Sequence, residues 1–592
     1  MQKGYPRPQL SRENWTGLDG TWKFLFDDCN VGQRERWYDA FPENTREIRV
    51  PFSYETKLSG IGEEAFHPVV WYQREIEIKK TISPEDGEEM CEASGRRFLL
   101  HFEGVDYTAV VWVNGCFAGT HTGAYARFSF DITDYVRDGA NTITVRAQDS
   151  MSCVQPRGKQ RWQKENFGCW YVQTTGIWKS VWLEEVPQNY IEKLKLTPDF
   201  DNASVRLEVK LNQKPSSPLT LSGRIVLDGR EIAVWQMQAL AEYATVDINL
   251  ASGDVPWQVA LWTPSNPKLY DVELSLFGDG QTDAVASYFG MRKVSIENGK
   301  VLLNNVPLYQ RLILDQGYWE ESHLTPPCEE ALIKDIDLVL AAGYNGVRKH
   351  QKVEDERFLY WCDRKGLLVW CEMPSAYMFQ EDAVEQFTGQ WMEIVRQNYN
   401  HPCVITWTAF NESWGIERVY TDCCQQKFTE AIYHLTKAFD PMRPVIVNDG
   451  WEHTVSDIVT LHDYEESGEV FTKRYQDKEA IMDGRTSFNG ERYAMAKGYR
   501  YQGQPVIISE YGGIAFQTKD GWGYGNQVAD EKKFLERFDR ITTAIKQLDD
   551  SVGFCYTQVT DVQQEVNGLY TMKREPKVDI EEIRKINLAS GR

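Results

Sequence analysis

At 592 residues the chain exceeds what one hydrophobic core organises, so two to four domains are expected. Hydrophobic residues make up 42% and aromatic residues 13%, with 20 Trp, which excludes a disordered chain and suits either sugar stacking or large β-sandwich cores. A net charge of −22 argues against polyanionic partners: neither nucleic acid nor an anionic lipid surface attracts such a chain.

The opening MQKGYPRPQLSRENW has no apolar stretch of the kind that directs export, and no window approaches 18 uncharged apolar residues. Neither export nor membrane insertion is indicated, and the cytoplasm is the expected compartment. Twelve cysteines are scattered from Cys29 to Cys555 without a CxxC pair, and the adjacent Cys423 and Cys424 lack metal-ligand spacing. Reduced, mostly buried thiols are expected, with no metal and no cofactor.

Residues 1–187 carry short alternating segments, RRFLLHFEGV (96–105), TAVVWVNGCFAG (108–119) and NTITVRAQD (141–149), with an Asn-Gly hairpin signal at 114 and 115. This pattern predicts an antiparallel sandwich or jelly roll. Residues 188–293 continue with SVRLEVKLN (204–212), GRIVLDG (223–229) and KLYDVELSLFG (268–278), about the size of an immunoglobulin-like sandwich. From 294 to 592 the texture changes to apolar strands alternating with amphipathic helices. The strands are LYQRLILD (308–315), YNGVRKH (344–350), GLLVWCEM (366–373), CVITWTAFNE (403–412), PVIVND (444–449), IVTLHDY (458–464), PVIISEY (505–511) and VGFCYTQ (552–558). Helical spacing marks 329–343, 355–366 and 530–548. Eight such alternations predict a (β/α)₈ barrel, whose catalytic groups stand at the C-terminal strand ends.

The polar residues that interrupt those strand ends are Asp315, Arg348, His350, Glu372, Asn411, Glu412, His462, Tyr464, Glu510 and Tyr511. Any one of them could simply cap a following helix, but several carboxylates buried on one rim are costly without a purpose. Glu412 ends the fourth strand and Glu510 the seventh, on facing sides of a closed barrel. Two carboxyls in one mouth can approach to about 5 to 5.5 Å, the separation at which one attacks an anomeric carbon and the other protonates the leaving oxygen. Mutual repulsion and partial burial are expected to keep one of them protonated.

WTAFNESWG resembles the Asn-Glu acid/base signature of glycoside hydrolase family 2, and VIISEYGG its nucleophile strand. The likeness runs through LDGTWKF (18–24), FEGVDYTAVVWVNG (102–115), TTGIWKSVWLE (174–184), LWTPSNPKLYDVEL (261–274) and GYNGVRKHQKVEDERFLYWCDRKGLLVWCEMPS (343–375). The resemblance implies a jelly roll, an immunoglobulin-like domain and a TIM barrel, and a retaining exo-β-glycosidase acting on a carbohydrate. It implies Glu412 as general acid/base and Glu510 as nucleophile. It further implies that Asn411 binds the sugar 2-hydroxyl, that Tyr464 hydrogen-bonds the nucleophile and that Arg348 lies beneath it.

The family's β-glucuronidases carry an Asn-x-Lys pair that grips the sugar carboxylate, whereas the matching EVNGLYT has Glu565 and Asn567 at those positions. Repulsion from Glu565 disfavours a uronate, so a β-galactosyl substrate is expected ahead of a β-glucuronide, unless another Lys substitutes. Glu372 matches a metal-binding carboxylate of the large β-galactosidases, but MPSAYMF supplies no partner His. His350 follows Arg348 by two residues rather than three, leaving it either a sugar contact or a bond to a barrel neighbour. Tyr556 or Gln558 stands where a Trp is often found under the sugar. Asp315 can bind hydroxyls or cap a helix; Trp414 and Trp522 can stack on sugar or pack. The basic, aromatic segment PRGKQRWQKENFGCWY (156–171) can edge the active site or meet another subunit in a homo-oligomer. A non-catalytic carbohydrate-binding relative and a transglycosidase are the alternatives.

Overall fold

A computed structural model describes residues 4–79, 81–82, 91–92, 95–251, 259–548 and 551–590. The chain folds as a jelly-roll sandwich, an immunoglobulin-like sandwich and an eight-stranded parallel barrel. In the first, a six-stranded antiparallel sheet built around Val69–Ile78, Thr108–Val113 and Gly139–Gln148 faces a four-stranded sheet containing Arg96–Phe102 and Val181–Pro187. Alternation puts Phe24, Tyr72, Phe102, Val111 and Val145 into the shared core. The expected Asn-Gly turn forms, with Asn114 and Gly115 both at positive φ. The second sandwich packs a three-stranded sheet on a four-stranded one across Leu196, Leu207, Leu221 and Leu274.

The barrel strands are β1 (Gln310–Asp315), β2 (Gly346–Lys349), β3 (Leu368–Glu372), β4 (Val404–Asn411), β5 (Val445–Asp449), β6 (Val459–His462), β7 (Val506–Gly512) and β8 (Ser551–Thr557). All eight expected strands form. β2 to β7 are buried at every position, which is why their sequences read as apolar runs rather than alternations. Helices follow where the spacing placed them: Glu329–Ala341, Glu356–Lys365 and Glu531–Lys546. Asp355 caps the second by accepting from Arg357 N, and Asp530 caps the third by accepting from Lys533 N.

One expectation is corrected. Eight full β/α alternations do not occur, because residues 450–458 join β5 to β6 without a helix, a link shorter than the dozen or so residues a helical crossover requires. The hydrogen-bonded ladder runs β5-β4-β3-β2-β1-β8-β7-β6 and leaves β5 and β6 unpaired, so the barrel has one seam.

The jelly roll is locked onto the barrel. Arg127 pairs with Glu103 of its own domain and with Glu356 of the barrel, and Lys179 Nζ donates to the Val353 carbonyl at 2.9 Å. The 156–171 segment lies across the barrel's C-terminal face. Gly158 N donates to Ser375 O at 3.1 Å, Tyr377 OH to Gly158 O at 2.6 Å, and Gln564 Nε2 to Gly168 O and Trp170 O at 3.0 and 2.9 Å. Gly158 has a φ of +62°, and a Cβ there meets the Gln351 carbonyl oxygen at 2.3 Å. Gly158→Ala is therefore expected to cost upwards of about 1 kcal/mol and lower the melting temperature. Gly229→Ala, also at positive φ but with nothing within 4 Å, isolates the backbone cost; equal losses in urea denaturation refute the close-docking account.

Candidate active site

β4 ends at Asn411, and the chain then turns through two left-handed residues, Glu412 (φ 50°) and Ser413 (φ 59°). Such backbone costs about 1–3 kcal/mol per residue and persists only where packing enforces it. Enforcement comes from Glu412 N donating to Asp449 O at 2.8 Å and Ser413 N to Asn448 Oδ1 at 3.0 Å. The turn carries Glu412 over the barrel mouth, where its side chain keeps partial exposure while Asn411 is buried.

Glu510, near the end of β7, faces it from the opposite wall. Carboxylate oxygens of Glu412 and Glu510 and a ring nitrogen of His462 all lie within 4.8 Å of one another. Arg348 holds Glu510 Oε1 at 2.7 Å, and Tyr464 OH donates to Glu510 Oε2 at 2.5 Å. Tyr464 stacks on Tyr524 with centroids 3.4 Å apart.

Arg348 is fully buried and its guanidinium engages five side chains. Nε donates to Glu372 Oε2 (2.7 Å), Nη1 to Glu510 Oε1 (2.7 Å), and Nη2 to Asn411 Oδ1 (2.6 Å) and His350 Nδ1 (3.0 Å), while Asp449 Oδ2 forms an ion pair with Nη1 at 2.8 Å. Burial opposes its charge, but Asp449, Glu372 and Glu510 raise its pKa well above the ordinary arginine value. His350 is pushed down, first by burial and then by Lys159 and Arg348, so it stays neutral between Arg348 and Glu372.

The expected source of the proton on the carboxylate pair is corrected. His462 Nδ1 lies 2.8 Å from Glu412 Oε1 and 3.4 Å from Glu510 Oε2, while Nε2 lies 2.9 Å from Asp449 Oδ2. Burial alone lowers the His462 pKa, but Glu510, Asp449 and Glu412 raise it to about 10. Burial likewise pushes Glu412 up, and the hydrogen bond and charge of His462 bring it below the usual carboxylate range. The proton therefore resides on the imidazole rather than on Glu412, because three acids surround one base.

Asp315 is engaged by protein groups: Lys349 Nζ donates to Oδ2 at 2.7 Å and Gly317 N to Oδ1 at 2.8 Å, within an ion network that continues to Glu354. Gln558 is sandwiched between Gln316 Nε2 (2.8 Å) and Asn567 Oδ1 (2.7 Å), while Tyr556 is buried against Tyr511 and Phe538. Trp414 stands edge-on to Trp170 and Tyr377, forming an aromatic wall between the two domains. Trp522 donates to Gly168 O at 3.0 Å.

Sequence reading missed Asp449, although it ends β5 as plainly as Glu372 ends β3. It also missed Lys159, Tyr171 and Gln316, which converge on Glu565 from other parts of the chain. Two groups of described residues offer ligand atoms close enough for one metal ion. One is Glu412, His462 and Glu510, whose cationic imidazole repels a cation; the other is Asp363, His401 and Cys403. In the latter, Asp363 already accepts from His401 (2.6 Å), Tyr288 OH (2.8 Å) and Cys403 N (2.8 Å). Glu372 is likewise engaged, by Arg348 and by Gln351 N at 2.9 Å.

Family models match the whole architecture in order: the sugar binding domain of glycosyl hydrolases family 2 over residues 15–187, the central family 2 domain over 189–292 and the family 2 TIM barrel domain over 294–589. The chain belongs to glycoside hydrolase family 2. A β-glucuronidase of Canis lupus familiaris is 24% identical, over 97% of this chain and 90% of its own length. A Formosa agariphila protein is 28% identical over 64% of this chain, and the match spans less than half, 45%, of that longer relative. Among solved structures, an uncultured Clostridium β-glucuronidase superposes with a TM-score of 0.77 at 20% identity, covering 98% of this chain and 99% of that one.

Within this family 2 barrel, the imidazolium ties stability to pH. The folded His462 pKa of about 10 exceeds the ordinary 6.5. Its stabilisation is thus complete below about 6.5 and lost as pH rises through about 10. His462→Gln is expected to be less stable at pH 6 and to flatten the decline in melting temperature between pH 6.5 and 10. Parallel wild-type and variant profiles across that window contradict the protonated imidazole.

Proposed function

We propose that the protein is a retaining exo-β-glycosidase that releases a terminal β-linked sugar by double displacement. The approach of Glu412 and Glu510 oxygens to within 4.8 Å carries this reading. Inverting enzymes separate their carboxyls by about 6.5–9.5 Å to admit a water, whereas retaining enzymes hold them at about 5–5.5 Å.

Glu510 acts as the nucleophile. Arg348 and Tyr464 hold both its oxygens, which orients it toward the anomeric carbon and favours the charged form. Glu412 acts as acid and then base: the proton stored on His462 Nδ1 passes to Glu412 as the leaving oxygen takes one, and returns when water attacks the glycosyl-enzyme. Asn411 Nδ2 is buried without a protein partner while Oδ1 is fixed by Arg348. That unpaired donor suits the sugar 2-hydroxyl, whose hydrogen bond strengthens as the oxocarbenium ion develops.

The β-galactosyl type expected from the sequence and the uronosyl type carried in the names of the β-glucuronidase relatives differ in the group at C5. Glu565 supports the first; the buried ammonium of Lys159, near Glu565, supports the second.

Proton NMR of the first product on a p-nitrophenyl β-glycoside is expected to show the β-anomer; α-anomer appearing first contradicts double displacement. Glu510→Ala is expected to lose at least about 10⁴ in kcat, and activity within tenfold of wild type removes it as nucleophile. Glu412→Ala is expected to spare substrates with good leaving groups more than poor ones, and an equal loss on both removes it as the acid.

A further inference from the structure

Lys159 sits on the jelly-roll loop yet belongs electrostatically to the barrel mouth. Its charge acts on Glu412, Glu565 and His350, residues after β4, after β8 and after β2. The side chain is buried, and its ammonium carries three donors. The hydrogen-bond partner it finds is the Cys169 thiol at 3.2 Å, a weak acceptor, with the Trp170 ring 6.0 Å away. Among the described residues no carboxylate lies within 4 Å of it.

The other buried lysines of the same region differ. Lys349 pairs with Asp315 and Glu354, each at 2.7 Å. Lys352 reaches Glu354 at 2.9 Å and two carbonyls at 2.8 Å, and Lys179 donates to Val353 O at 2.9 Å. A desolvated ammonium without an anion or carbonyl is expensive, and the fold satisfies every such group nearby except this one.

The exception is rigidly placed. Lys159 O accepts from Tyr171 N at 2.8 Å, Gly158 is pinned to Ser375, and Gln160 donates to Asp106 Oδ2 at 2.7 Å and accepts from Thr174 N at 2.7 Å. Facing it, Glu565 is not a bare charge. Tyr171 OH and Gln316 Nε2 donate to one oxygen and Asn567 Nδ2 to the other. Burial pushes the Glu565 carboxyl up toward its neutral form, against the lowering effect of Lys159.

We infer that Lys159 is the anchor for a carboxylate on the terminal sugar, so that the substrate is a β-linked uronide held by a cation from the jelly roll instead of from the barrel loop after β8. This rests on the retaining glycosidase reading. A hydroxymethyl group fills one donor and leaves the charge uncompensated, whereas a carboxylate takes two donors and neutralises it.

Matched substrates that differ only in carboxylate against hydroxymethyl at C5 test it: p-nitrophenyl β-galacturonide with β-galactoside, and β-glucuronide with β-glucoside. In at least one pair kcat/KM is expected to favour the uronide by about 100-fold, and Lys159→Met to reduce that ratio by about 100-fold, with Lys159→Arg recovering part of it. A wild-type preference for the neutral member of both pairs, or a ratio unmoved by Lys159→Met, overturns the inference and marks Lys159 as a counter-ion for Glu412 and Glu565. Failure to cleave any glycoside falls instead on the glycosidase reading. Free galacturonate and glucuronate, compared with galactose and glucose as competitive inhibitors of the wild type, supply a second measurement should the variant not fold. Tighter inhibition by a uronate is expected, and equal inhibition overturns the proposal.

Discussion

The guanidinium of Arg348 is the interaction on which the site depends. A cation with no solvent exposure costs several kcal/mol to desolvate, and only close, well-directed acceptors offset that cost. Here the acceptors stand at or near the ends of strands around the barrel, Glu372 of β3, Asn411 of β4 and Glu510 of β7, with Asp449 at the end of β5 completing the charge balance as an ion pair. The planar fork of donors fixes where each must lie, so one side chain sets the positions of the others. Lysine, a point charge on a flexible stem, could not impose that geometry.

The same logic extends to the seam between β5 and β6. Where backbone pairing is lost, His462 and Asp449 supply a charged hydrogen bond across the gap, and His462 N donates to Gly450 O at 3.2 Å. A side-chain link can do what a ladder bond cannot, because it leaves the second imidazole nitrogen directed at Glu412. The seam is thus where the barrel exchanges backbone regularity for a proton-bearing group. It sits beside the left-handed turn at Glu412 and Ser413, a second departure from regular backbone at the same place.

Much of this was legible in the sequence. Buried parallel strands read as apolar runs, and a polar residue at the end of such a run is conspicuous; Arg348, Asn411, Glu412, His462, Tyr464 and Glu510 were all visible that way. What stayed hidden was the assignment of partners. Asp315 and Glu372 look alike as strand-end acids, yet one is consumed by Lys349 and the other by Arg348, a difference set by side chains across neighbouring strands. The protonation of the pair was misjudged for a related reason. Repulsion between two carboxylates is local and predictable, but the imidazole between them and the Asp449 behind it depend on which strand ends meet.

Specificity is harder still to read locally, because the groups that meet around Glu565 come from two domains. Glu565 follows β8, whereas Tyr171 and Lys159 arrive from the jelly roll, nearly 400 residues away in the chain. A motif in one loop reports the charge that loop contributes, while a ligand experiences the sum of the fields that converge on it. Substituting an acid for an amide after β8 therefore does not by itself decide whether the site rejects an anion. Tyr171, Gln316 and Asn567 occupy the carboxyl of Glu565, and an ammonium from outside the barrel acts on the same space. The docking of the two domains, through Gly158 against Ser375 and Arg127 against Glu356, holds that ammonium at a fixed place, so the domain interface helps to build the candidate site.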